Sequence, residues 1–236
     1  MELLAFGKTG WGDELFYATL MTVAVSVTAM LVGFLFALIF TPLKLSKYKT
    51  LNFVGNFYTT VIRGVPELLV IYLLFFGGSS AVMYFAKMFG YDGYIELNAF
   101  TIGTFAVGAI SGAYSTEVIR GAILAVPKGQ FEAGETLGMS KFQMNLRIIF
   151  PQVARLALPG IGNVWQITLK DTSLISVTAL VEIMRQAKVA AASEHEPFVF
   201  YTTAIVLYLL ITTGSNKFFN RAEKKFSKGF VIEEST

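Results

Sequence analysis

The sequence predicts an all-α integral membrane protein with about five transmembrane helices, and three observations carry that class. Of 236 residues, 54% are hydrophobic and 15% charged, with a mean hydropathy of +0.60. That is more apolar surface than one soluble core of this length buries. The apolar residues gather in runs near the ~20 residues that a helix needs to cross ~30 Å of hydrocarbon. Lys and Arg, finally, alternate between successive loops, as they do when basic loops are retained on one side of a membrane. The whole chain, 1–236, reads as a single transmembrane domain.

The elements follow in order. The first span, 15–41, contains no charged residue. The second span, 51–77, opens a run from Leu51 to Ala86 that is interrupted only by Arg63 and Glu67. At ~1.5 Å rise per residue it is too long for one straight crossing, so a helical approach over 51–62, a break at "RGVPE" and a crossing over 68–77 are expected. The third span is 97–119, and the fourth, 156–184, consists of apolar halves on either side of "KDTS". The fifth is 198–214. The Phe and Leu stripes of the first and fifth spans suit lipid or packing surfaces.

Lys44, Lys47 and Lys49 follow the first span, Lys128, Lys141, Arg147 and Arg155 the third, and Lys217, Arg221, Lys224, Lys225 and Lys228 the fifth. The segments between them are acidic or mixed: Glu2, Asp13 and Glu14, then Lys87, Asp92 and Glu96, then Glu194 and Glu196. This alternation predicts an outer N-terminus and a cytoplasmic C-terminus. The opening "MELLAFGKTGWGDE" carries acids where a cleaved signal peptide carries bases, so none is expected. There is no cysteine, which excludes disulfides and thiolate metal sites, and His195 is the single histidine, which argues against a His-based metal site or dyad. His195 is expected in an outer loop, in contact with solvent.

The segment 127–151 falls on the cytoplasmic side and looks like the surface of a soluble helical protein. Pro127 suits the first turn of a helix. A helix over 128–137 should stop at Gly138, which tolerates a left-handed turn. Ser140 with Gln143 forms a capping-box pattern, so a second helix should run toward Phe150 and be broken by Pro151. The small residues Ala133 and Gly134 would let another protein approach this elbow closely; an ordinary solvated amphipathic loop is the plainer alternative. The spacing of Gly134, Gly138 and Met144 also mimics a DNA-binding helix-turn-helix. Spans begin within a few residues of both ends, however, leaving no room for a recognition helix, and no nucleic-acid partner is expected.

"EAGETLGMSKFQMNLRIIFP" resembles the EAA loop of the membrane-spanning subunits of ATP-binding-cassette (ABC) importers: E-A-A, three residues, G, nine residues, I-x-L-P. Glu132, Ala133, Gly138, Ile148 and Pro151 match, Gly134 replaces the second alanine and Phe150 the leucine. The resemblance extends over nearly the whole chain, through "YTTVIRGVPELLVIYLLFF", "GAYSTEVIRGAILAVPKGQFEA", "LALPGIGNVWQITLKDTSL" and "NRAEKKFS". It points to permeases of the polar amino acid branch, of the histidine/lysine/arginine/ornithine and octopine/nopaline kinds. It implies a type I importer permease fold with a cytoplasmic coupling helix, in the bacterial inner membrane. The implied partners are two ATP-binding subunits, a second permease subunit, a paralogue rather than a copy, and a periplasmic solute-binding protein. Glu132, Ala133, Gly134, Gly138 and Pro151 would then couple to the ATPase. The chain itself would be no enzyme and carry no cofactor, ATP and Mg being bound by the partner. In keeping with this, "GKT" at 7–9 is the only fragment resembling a phosphate loop, and Glu2 stands where its upstream glycine belongs.

Ionisable groups inside a span are costly and are functional candidates by default. Arg63 and Glu67, four apart, can pair along one helix face. Pro66 opposes that by breaking the helix between them, and a carboxylate at a broken helix near the midplane is how transporters hold charged substrates. Glu67 is therefore expected to contact a cationic side chain, with Arg63 beside it; in similar permeases of the basic amino acid group an acid lines the pocket here. Asn163, Gln166, Asp171, Thr172 and Ser173 offer further donors and acceptors, unless Lys170 and Asp171 merely neutralise each other. Glu117 and Arg120 read as anchors for the loop. The expected function is translocation of a polar, cationic amino acid or arginine-derived opine. A secondary amino acid carrier or channel component acting without ATP is the rival reading, although five spans are few for such a carrier and no internal repeat supplies a second half. A structural anchor predicts neither polar residues inside spans nor a docking elbow.

Overall fold

The computed structural model describes residues 2–7, 10–91, 93, 98–178 and 180–226, and the regular elements among these are all helices, with no strand. Helix α1 (Gly12–Leu45) is followed by α2 (Lys49–Gly64), α3 (Glu67–Tyr72), a π-helical turn (Leu73–Gly77) and α4 (Gly78–Met88). Then come α5 (Ala99–Leu124), α6 (Lys128–Thr136), α7 (Lys141–Met144), a second π turn (Asn145–Ile149), α8 (Phe150–Asp171), a 3-10 segment (Thr172–Thr178), α9 (Ile183–Glu194) and α10 (Pro197–Phe226). Asp92, Glu96, Leu97, Lys228 and the Lys8–Thr9 part of "GKT" lie outside the described residues. Among the described residues, α1 and α10 are each long and apolar enough to cross a membrane. The run over Lys49–Gly64 and Glu67–Gly77 qualifies as a pair bent by 110°.

Helix α5 is the centre of the bundle, buried along most of its length from Ile102 to Thr116. Its small residues explain why. Thr28 meets Thr104 and Lys44 meets Glu117, so α1 and α5 run parallel. Between these contacts a Cβ on Gly33 would overlap Ser111 Oγ, and one on Gly112 would lie 2.6 Å from Phe36 Cβ. Backbones approach this closely only where side chains are absent, the usual solution for helices packing in lipid, where burial of apolar surface supplies no net drive. Helix α8 packs back on α5, Gly160 against Val118. Helices α9 and α10 form a hairpin closed by His195, exposed and left-handed at φ 58°. Trp11 Nε1 donates to Glu194 Oε1 at 3.0 Å, tying the start of α1 to that hairpin. Large apolar side chains remain exposed along α1 (Leu31, Leu35, Leu38) and α10 (Ile205, Leu209, Leu210).

Three elements differ from the sequence reading. The helix expected to end near Gly77 continues through its π turn to Met88, because Gly77 and Gly78 keep right-handed helical dihedrals. The segment expected over 156–184 is not one interrupted helix: α8 ends at Asp171, a 3-10 turn follows, and α9 starts only at Ile183. Pro151 does not break the second elbow helix. It sits in the first turn of α8, where a missing N–H costs little, and the preceding π turn carries the chain into it.

Candidate functional site

Helix α2 stops because Val65 precedes a proline and is held extended (φ −113°, ψ 153°). Pro66 then opens α3, placing Glu67 in its first turn, where the helix dipole favours a carboxylate. The sharp bend separates Arg63 from Glu67. Among the described residues the ion pairs are Lys44–Glu117 and Arg120–Glu117, so the Arg63–Glu67 pair is not made. Tyr114 of α5 stands between them instead: its hydroxyl donates to Glu67 Oε1 at 3.1 Å, and Arg63 Cζ lies 5.2 Å from its ring centroid in a cation–π contact.

Asp171, at the end of α8, joins this group. The turn that follows it packs on α3 and α5, Leu174 and Ile175 lying in one cluster with Val70, Ile71, Val107 and Ile110. Asp171 Oδ2 is buried without a hydrogen-bond partner, a costly state that marks a group arranged for something other than stability. Lys170 does not form an ion pair with it. Consecutive helix positions point about 100° apart, and Lys170 faces a cavity of about 600 Å³ between α8, α9 and α10. The structure thus assembles Arg63, Glu67, Tyr114 and Asp171 from α2, α3, α5 and α8.

The other candidates are placed differently. Asn163 is exposed on α8. Gln166 donates to Asn216 of α10. Thr172 is wholly buried, with its hydroxyl donating to Leu169 O at 2.7 Å, and Ser173 donates to Lys170 O at 2.7 Å. Both hydroxyls serve the end of their own helix. Sequence reasoning missed Tyr114, whose role depends on α3 folding back on α5. It also missed Glu182, a fully buried carboxylate that caps α9 through Met184 N (2.9 Å) and Arg185 N (2.7 Å) and accepts from Tyr208 at 2.9 Å. A carboxylate just before an apolar–basic helical run is a capping signal that could have found it. Among the described residues, no three of His, Cys, Asp and Glu gather as metal ligands.

The elbow is built locally. Pro127 is the N-cap of α6, one position before its expected place in the first turn. Gly138 is left-handed at φ 70°, and the capping box is complete: Gln143 N donates to Ser140 Oγ at 3.3 Å and Ser140 N to Gln143 Oε1 at 3.2 Å. Gly134 is buried, and a Cβ there would meet Met144 Sδ at 2.7 Å. Its smallness lets the elbow close on Met144. Ala133 and Glu132 are exposed, and Leu137 and Phe142 project at 76% and 74% exposure.

Residues 29–225 match the family of binding-protein-dependent transport system inner membrane components. The chain belongs to that family. It is a permease subunit of the ABC-importer class, and the secondary-carrier and anchor readings fall away. It is 51% identical over 230 residues, 97% of this chain and 98% of the relative, to a nopaline transport system permease protein of Agrobacterium fabrum. It is 36% identical over 220 residues, 93% and 96% of the two chains, to the histidine/lysine/arginine/ornithine transport system permease protein of Escherichia coli. A solved amino acid ABC transporter crystallised with histidines has a chain of the same fold: TM-score 0.77, 29% identity, 91% of this chain and 95% of that one covered. The fold is also shared with a methionine ABC transporter chain at TM-score 0.72 and 11% identity. The family works with a binding protein and an ATPase.

Proposed function

We propose that the chain translocates an amino acid or arginine-derived opine bearing a cationic group, and that Glu67 and Asp171 receive that group. The observation that carries this reading is the unpartnered buried oxygen of Asp171 at the end of α8, whose following turn packs on the helix that Glu67 opens. A guanidinium supplies planar paired donors for such oxygens, and the names of the nopaline and histidine/lysine/arginine/ornithine permeases are consistent with it. Arg63, held over Tyr114, meets the substrate's carboxylate. Exposed Asn163 adds a polar contact on α8, Gln166 ties that helix to Asn216 of α10, and Thr172 and Ser173 contribute by fixing its end.

The crossings are α1, the run from Glu67 to Met88, α5, α8 and α10, with the N-terminus periplasmic and the C-terminus cytoplasmic. Two ATP-binding subunits, which hold ATP and Mg, dock on the elbows of this chain and of a paralogous second permease. Glu132, Ala133 and the tip at Gly138 meet the ATPase, Gly134 keeps the elbow closed, and Pro151 leads it into α8. ATP binding draws the elbows together, and the helices reopen toward the binding protein that delivers substrate. The test is ATP hydrolysis by the complete reconstituted complex with its binding protein, compared across cationic amino acids, opines and neutral amino acids. Stimulation by cationic ligands is expected; stimulation confined to neutral ligands would overturn the substrate class.

A further inference from the structure

Lys44, at the end of α1, has a side chain only 8% exposed. Its ammonium donates to Glu117 of α5 and, at 2.7 Å, to Thr59 Oγ1 of α2. Glu117 gives its other oxygen to Arg120, whose Nε and Nη2 donate at 3.1 and 3.0 Å. A buried ion pair of this kind is a weak source of stability compared with an apolar contact of the same volume. What it does supply is geometry.

Thr59 lies about one helical turn before Arg63, and Glu117 just under one turn after Tyr114. One ammonium therefore joins α2 to α5 beside the Arg63–Tyr114 contact. These groups share a cavity of about 410 Å³ lined by Lys44, Thr59, Thr60, Arg63, Gly64 and Glu117. Two other bonds hold α2: Asn52 Nδ2 to Lys44 O at 2.5 Å and Tyr58 Oη to Ala109 O at 2.6 Å. The Thr59 bond is the last before the 110° bend. Beyond it the chain is next held where Val70 and Ile71 of α3 pack with Ala106, Val107 and Ile110 of α5, so Glu67 lies between that packing and the Thr59 bond.

We propose that Lys44 is a positioning residue for the substrate site: by bonding Thr59 and Glu117 together it sets Arg63 and Glu67 against Tyr114. The inference rests on the proposed function, and it replaces the expectation that Glu117 and Arg120 anchor only the loop. The test is the KM and maximal rate of uptake of arginine or nopaline, whichever the wild-type complex moves, in proteoliposomes containing the full complex. Thr59→Val keeps the shape and the Lys44–Glu117 pair but removes the acceptor on α2. It should raise KM about fivefold, the scale of one net hydrogen bond, with maximal rate and thermal stability near wild type. Lys44→Met should raise KM further, and Lys44→Arg should lie closer to wild type than Lys44→Met. Wild-type KM in Thr59→Val, or lower stability with KM unmoved, overturns the positioning role. Should Lys44→Met fail to assemble, Thr59→Val decides alone. A wild-type complex that moves neither probe overturns the proposed function instead.

Discussion

Two of the interruptions of the helical run, the elbow at 127–151 and the bend at Gly64–Pro66, are built on opposite plans. The elbow is closed by its own neighbours: a left-handed Gly138, a capping box between Ser140 and Gln143, and Gly134 against Met144. The bend leaves its nearest charged pair unmade and is held from a distance, by Tyr114 on Glu67 and by Lys44 on Thr59. A self-closed unit moves as a rigid body and suits transmission of force. A bend held by side chains of other helices can reset when those helices shift, which suits a site that must face two sides of a membrane in turn.

Substitutions can break this contrast, and the largest effect is expected at the elbow tip. Gly138→Glu puts a side chain at φ 70°, where the left-handed region costs about 1–2 kcal/mol. It also places a charge in the docking surface. Coupled uptake should fall at least about thirtyfold, the scale of an interface hot spot, with insertion into the membrane intact; wild-type transport would remove the docking role. Glu67→Gln should lower uptake of a cationic substrate by about ten- to a hundredfold, as the loss of a charged hydrogen bond does, measured as kcat/KM. Gly134→Val should cost about 1–3 kcal/mol through overpacking on Met144 and regain part of its ATPase coupling when combined with Met144→Ala. Tyr114→Phe keeps the ring beneath Arg63 but removes the donor to Glu67, and an approximately fivefold rise in KM is expected. Ser140→Ala is the mildest, about 1 kcal/mol for one cap, seen as a lower melting temperature without altered selectivity.

The same contrast explains what the sequence made legible. The elbow could be read because its determinants are local, with Ser140 and Gln143 three residues apart and Gly138 at the turn. Glu67 and Asp171 could be singled out as carboxylates in apolar surroundings. Their partners could not: Tyr114 is far from Glu67 along the chain, and Lys44, which reads as a loop cation, is buried against Glu117. Pro151 misled because a proline opening a helix after a π turn looks, in sequence, like one that ends it. Gly134 was read as room for a partner because nothing local shows that Met144 folds onto it.

The central claim is that Glu67 recognises positive charge while the elbow only transmits it. It is tested most directly by equilibrium binding of arginine and of citrulline, its neutral near-isostere, to the solubilised complex of permease and ATPase subunits. Wild type and Gly138→Glu should prefer arginine, and Glu67→Gln should lose that preference. An arginine preference that survives in Glu67→Gln would contradict the account.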